Sequence, residues 1–187
     1  MRIMPRRRRN KVKPTTFITH YRTPEGMDDL MFSSDGDVLT GVWFEGSRDE
    51  RKSAADFVEE ELPIFREAGA WLDAYFAGDL SARKVPRYRL ENVTAFRQAV
   101  SDEMVKIPFG EVVTYGEIAK RIAAERGVER MSAQAVGGAV GWNPICILIP
   151  CHRVVGTGGA MVGYGGGIKN KVALLEHEEK ILQRRNK

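Results

Sequence analysis

Cys151 and His152 stand side by side in ILIPCHRVV, residues 147–155, at the end of an apolar run. A thiol beside an imidazole suggests nucleophilic chemistry, in which a thiolate attacks and a base removes its proton. A free thiol has a pKa of about 8.5, so a base or a positive field must raise the thiolate share at neutral pH. Direct adjacency is awkward for this. Successive side chains of an extended chain point to opposite faces, so the two groups cannot share a proton there. Pro150 cannot donate a hydrogen bond and ends or kinks the strand, so a turn at this point is expected to release the pair from that alternation.

The neighbouring segments must position the pair. Asn143-Pro144 reads as a turn, and Ile145 to Ile149 as a buried strand. Cys146 reads as a strand residue without chemistry, although its spacing can bring it near Cys151. Downstream, GTGGAMVGYGGG holds seven glycines between Gly156 and Gly167. It reads either as a loose connector or as a wall whose backbone N–H groups approach a ligand. IKNKVALLEHEEKILQRR reads as a closing helix with Val172, Leu175 and Ile181 facing inward. Most of Glu176, His177, Glu178 and Glu179 form a solvated face, and one acid can turn inward to orient His152.

Upstream, TAFRQAVSDEMVKI reads as a helix capped by Thr94. In TYGEIAKRIAAERG, Thr114 and Glu117 have capping-box spacing and Gly127 is the stop. MSAQAVGGAVG follows, with Ser132 as cap and Met131 and Val136 placed as a staple. Two short helices with a tight connection suggest a helix-turn-helix, a weak signal by itself. The second helix is almost all small: Ala133, Ala135, Gly137, Gly138, Ala139. Each glycine costs roughly 1 kcal/mol against alanine, so the pair needs a reason, either close core packing or close approach to a ligand surface. Such a helix lacks the long polar side chains of a major-groove reader but suits a narrow minor groove.

The N-terminal half reads as strands followed by a helix. TTFITHYRT alternates, DDLMFSS and VLTGVWFEG flank the turn SDGD, and PIFREAGAWLDAYFAG is a helix from Pro63 to a stop at Gly78. Phe65, Ala68, Leu72, Tyr75 and Phe76 form its apolar, core-facing stripe. DLSARKVPRYRLEN is the linker or last strand before a second domain. The fold class expected is α+β: a basic arm over 1–14, expected to be disordered, a small α/β domain over 15–92, and a mostly helical domain over 93–187.

The chain has 187 residues, 43% hydrophobic and 29% charged, with formal net charge +4. This is enough for a core, with a mild lean toward a polyanionic partner. The two cysteines make no disulfide framework. Only His20, His152 and His177 could add metal ligands, so no metal is expected. No apolar run approaches a membrane span, and MRIMPRRRRNKVK lacks the apolar core of a signal peptide. A reducing cytoplasm fits.

IPCHRVV, with PFGEVVTYGEIA, AVGGAVGWNP, GYGGG and LLEHE in order from about Phe96 to Glu178, resembles the O6-alkylguanine-DNA alkyltransferases (methylated-DNA–protein-cysteine methyltransferases). The resemblance implies that Cys151 takes an alkyl group from O6 of guanine, once per molecule, without a cofactor. It implies that His152 removes the thiol proton through a water, that Glu178 orients His152, and that Asn143 holds the turn. Tyr115, Arg153, Val154, Tyr164 and Gly165 then belong to the substrate-binding set. The helix with Ala133, Gln134, Ala135, Gly137 and Gly138 enters the minor groove of double-stranded DNA, and the protein acts as a monomer. The damaged base must be flipped out, at a cost of a few kcal/mol. Two positions depart from the family pattern: Gln134 stands where an arginine often fills the gap left by the base, and Gly165 where a serine often lies on the pocket loop.

Three other classes compete. A damage-binding module would lack the thiol. A cysteine hydrolase would leave the helix pair unexplained. A self-methylating transcriptional sensor would need a further domain.

Overall fold

The computed structural model describes residues 15–49, 57–79 and 84–185; the basic arm expected at 1–14 lies outside them. The architecture is α+β, as expected. Strands β1 (Thr16–Tyr21), β2 (Leu30–Ser34) and β3 (Leu39–Phe44) run antiparallel, and a short exposed strand, β4 (Phe57–Glu59), lies parallel beside β1, giving the order β3-β2-β1-β4. The β2–β3 turn follows from its composition. Asp35 accepts from the N–H groups of Asp37 and Val38 at 3.1 Å, and Gly36 takes φ +106°. One sheet face carries a small cluster, Ile18, Met31 and Trp43, while Leu30, Phe32 and Phe44 join the main core.

Helix α1 (Pro63–Ala77) covers that core face, with the Phe65 ring 6.2 Å from Phe32. Pro63 sits in its first turn, and Gly78 stops it at φ +78°, a left-handed conformation that costs glycine little. Its buried stripe includes Ile64 and Trp71 besides Phe65, Ala68, Leu72 and Tyr75, while Phe76 is only half-buried.

The second half contains α2 (Ala95–Val105), β5 (Val113–Thr114), α3 (Tyr115–Glu125), α4 (Ala133–Val140), β6 (Val154–Val155) and α5 (Ile168–Arg185), with β5 and β6 paired in parallel. Its caps follow the sequence: Thr94 accepts from Arg97 N–H, Thr114 and Glu117 form a reciprocal capping box, and Ser132 accepts from Ala135 N–H. The halves share one continuous buried cluster, reaching from Leu30 and Phe32 to Val136 and Leu174. They are also joined at the open edge of β3. Val42 N–H donates to Pro144 and Cys146 N–H to Val42, both at 2.8 Å, so the segment leading to Cys151 hangs on the N-terminal sheet.

Two expectations need correction. Ile145 to Ile149 is not a strand. Ile147 has φ +68°, unusual for a β-branched residue, and the segment folds back through Ile149 N–H to Ile145 O (3.1 Å) and Leu148 N–H to Cys146 O (2.8 Å). The inward face of α5 is Asn170, Lys171, Leu174, Glu178 and Ile181, not Val172 and Leu175. A buried lysine and a buried glutamate lie on the helix's inner stripe, so apolar periodicity alone misplaces it.

Candidate active site

Asn143 organises the thiol side. It is 2% exposed, and its amide donates to Ile149 O (2.9 Å), Ile145 O (3.3 Å) and Cys151 Sγ (3.1 Å), while its carbonyl accepts from Ile145 N–H (3.1 Å). One side chain thereby holds both ends of the 145–149 turn and the sulfur. These bonds are what offset the backbone strain at Ile147, about 1–3 kcal/mol. After Pro150 the chain enters a single 3-10 turn, Cys151–Arg153. Cys146 lies beside Cys151, and both thiols are free and buried. A hydrogen bond from Cys146, the Asn143 amide and the nearby Tyr164 hydroxyl hold the Cys151 thiol below its ordinary range although burial opposes them. The same bond, with burial, pushes Cys146 well up. Cys146 is therefore the proton-bearing partner.

The imidazole side is ionic. Glu178 Oε1 is 2.9 Å from His152 Nε2, 2.8 Å from Arg153 Nη2 and 2.6 Å from the Tyr75 hydroxyl, and Glu178 Oε2 accepts from Gly110 N–H at 2.8 Å. Burial disfavours the charged carboxyl, yet His152 and Arg153 together hold its pKa down at about 2. Burial also pulls His152 down, so the imidazole is neutral at neutral pH. Nε2 faces an acceptor-only carboxylate and therefore carries the proton, leaving the lone pair on Nδ1. Nδ1 is buried and has no hydrogen-bond partner.

Arg153 departs from the DNA- and substrate-binding role expected of it. It is 7% exposed, and its guanidinium bonds to both Glu178 oxygens and to Ile107 O (2.7 Å). Its charge is committed to a buried carboxylate rather than turned to the surface, so the side chain stands as a strut under the histidine.

A cavity of about 450 Å³ opens between α4 and the glycine loop, lined by Tyr115, Ala133, Gln134, Gly137, Gly156, Val162 and Gly163 among others. That is ample for a small aromatic ligand. The Tyr115 hydroxyl donates to Val162 O (3.1 Å) at its rim. On α4, Ala133, Gln134, Ala135 and Gly138 are exposed. A Cβ on Gly138 would meet nothing within 4 Å, and one on Gly137 only the Tyr115 ring at 3.8 Å. Core packing therefore does not explain the paired glycines. Tyr164 has its hydroxyl buried by the sulfurs, and Gly165 is buried against Asp49.

Sequence reasoning missed three contributors. Tyr75 was read as core only. Lys171, fully buried, donates to Val154 O at 2.6 Å and to Val162 O at 3.5 Å, bracing β6 to the glycine loop. Cys146 was given no role. The one available signal was the i, i+7 spacing of Lys171 and Glu178, which places them on one helix face. His20 pairs with Glu45 at the surface, and His177 Nε2 lies 3.0 Å from Phe76 O, its ring packed 6.3 Å from that of Tyr75. Among the described residues no three His, Cys, Asp or Glu side chains converge as metal ligands, and no helix is long and apolar enough to cross a membrane.

The family model described as 6-O-methylguanine DNA methyltransferase, DNA binding domain, matches residues 95–180. The chain is 37% identical over 163 residues to the methylated-DNA–protein-cysteine methyltransferase of Haemophilus influenzae, covering 87% of this chain and 86% of that protein. It is 40% identical over 166 residues to the protein of the same name from Mycobacterium tuberculosis, covering 86% and 92%. Among solved structures, Mycobacterium tuberculosis OGT in complex with DNA matches with a TM-score of 0.74 at 37% identity, over 88% of this chain and 94% of that one.

Proposed function

The chain belongs to the methylated-DNA–protein-cysteine methyltransferase family, and from that premise we propose that it repairs DNA by direct reversal, moving an alkyl group from O6 of guanine to Cys151 in a single turnover. The observation that carries this reading is a sulfur held by Asn143 at 3.1 Å, next in the chain to a buried histidine whose one unpartnered nitrogen is Nδ1. A water between Sγ and Nδ1 relays the thiol proton, which resolves the problem of two adjacent residues that do not bond to each other. The carboxylate of Glu178 stabilises the imidazolium that forms. The thiolate attacks the alkyl carbon, a C–S bond forms, and the C–O6 bond breaks with its electrons on the guanine. The guanine takes up one proton, so the sum is thiol plus alkylguanine giving thioether plus guanine. A thioether has no easy leaving group, so the protein is consumed.

The exposed small-residue face of α4 supports a minor-groove approach, with α3 and α4 as the helix-turn-helix of the part beginning near residue 93. The cavity at Tyr115 is the seat for the flipped base. By the family resemblance the backbone at Cys151 and Val154 recognises the guanine edge, and Lys171 holds the Val154 carbonyl in place. Gln134 is the residue nearest to a filler for the vacated stack. By the family resemblance the protein acts as a monomer in a reducing cytoplasm, where both thiols stay free.

Intact mass and peptide mapping after incubation with duplex DNA carrying O6-methylguanine test the reading. One added methyl on the Cys151 peptide, absent in Cys151→Ala, is expected. Tight lesion binding without mass gain would instead make the protein a damage-binding module.

A further inference from the structure

The segment after β3 reaches across to the glycine loop. A Cβ on Gly165 would lie 1.7 Å from Asp49 Oδ2 and 2.5 Å from Asp49 Cγ, and one on Gly166 would lie 2.7 Å from the Phe44 ring. Neither glycine has a positive φ, so it is space rather than torsion that demands them. Asp49 is 6% exposed and occupies the volume that any side chain at position 165 would fill. This loop also carries Tyr164, whose ring stands edge-on to Phe44 at 6.4 Å and whose hydroxyl lies by the sulfurs. The Asp49 charge is felt at Cys151, where it opposes the thiolate. The carboxylate thus stands directly behind the loop that carries Tyr164 beside the thiol, although it comes from the N-terminal sheet domain.

We propose that Asp49 is a specificity-determining residue, forming the wall along which any alkyl group larger than methyl must extend from the Cys151 sulfur. The proposal rests on the alkyl-transfer reading above. A methyl adds a single carbon to the sulfur. A benzyl adds a ring, which must enter volume already filled by Asp49 and the loop it backs. The pocket thus favours small alkyl groups.

Single-turnover rates on duplexes of one sequence, carrying either O6-methylguanine or O6-benzylguanine, test this in the wild type, Asp49→Ala and Asp49→Asn. Asp49→Ala is expected to raise the benzyl-to-methyl rate ratio by about 10-fold or more. Asp49→Asn, which keeps the volume, is expected to raise it less. An unchanged ratio in both variants, with the two rates falling together, would overturn the proposal and leave Asp49 as a strut between domains. Gly165→Ala is expected to slow both reactions in the wild type and to recover in Asp49→Gly; no recovery would remove the contact on which the proposal stands. A wild type that moves no methyl to Cys151 would sink the transfer reading itself, a result distinct from either.

Discussion

On one side of the Cys151–His152 peptide the sulfur meets neutral groups, the Asn143 amide with Cys146 and Tyr164 nearby; on the other the imidazole meets a carboxylate already neutralised by Arg153. The two sides solve opposite problems. A nucleophile must be stabilised as an anion without being locked into an ion pair that would blunt it. Weak neutral donors do that. A base must keep one tautomer and one orientation while its charge changes, and a saturated ionic cluster provides that stiffness. The peptide between them lies in a 3-10 step closed by Arg153 N–H to Pro150 O at 3.0 Å.

The difference can be tested from the larger effect to the smaller. Glu178→Gln breaks the ionic side, leaving Arg153 buried without its anion, and should cost about 3–5 kcal/mol of stability, read from denaturant melts. The rate of alkyl transfer should fall by about 100-fold or more. The acid limb should change as well. Glu178 is depressed to about 2, so its stabilisation is fully present above the ordinary carboxylate pKa of about 4.3 and lost as pH falls toward 2. That loss should be missing in the glutamine variant. His152 is likewise depressed by burial, so its share is present above about pH 6.5 and lost as the pH falls.

Asn143→Ala acts on the neutral side. It removes the clamp on the 145–149 turn and leaves the buried Ile145 N–H unpaired, a cost of about 1–3 kcal/mol. Equal slowing of methyl transfer and of iodoacetamide labelling at Cys151 would assign its role to the sulfur. Slowing of methyl transfer alone would assign it to substrate placement. Cys146→Ala should do less. Removing a donor to the thiolate moves the pH midpoint of Cys151 labelling upward, with the melting midpoint nearly unchanged; a downward move would refute the proton assignment. Gln134→Arg lies outside both networks and should leave the labelling profile alone. It should steepen the salt dependence of DNA binding by about one counterion.

Short-range physics made much of this protein legible in its sequence. The caps at Thr94, Thr114 and Ser132, the SDGD turn and the Pro63–Gly78 helix each depend on residues within four or five positions, and each forms as its pattern requires. The ordered motifs around Cys151 likewise identified the family. What the sequence could not reveal is set by partners far along the chain. Tyr75 meets Glu178 across 103 positions, and Asp49 meets Gly165 only because the β3 edge brings residues 144–146 onto the N-terminal sheet. Ile147 adopts a backbone conformation its side chain disfavours because Asn143 and the sheet hold both sides of the turn. Arg153 turns inward because a buried carboxylate binds a guanidinium better than water and an open surface do. Residue type and spacing determined which groups do the chemistry; packing between the two halves decided which way each one faces.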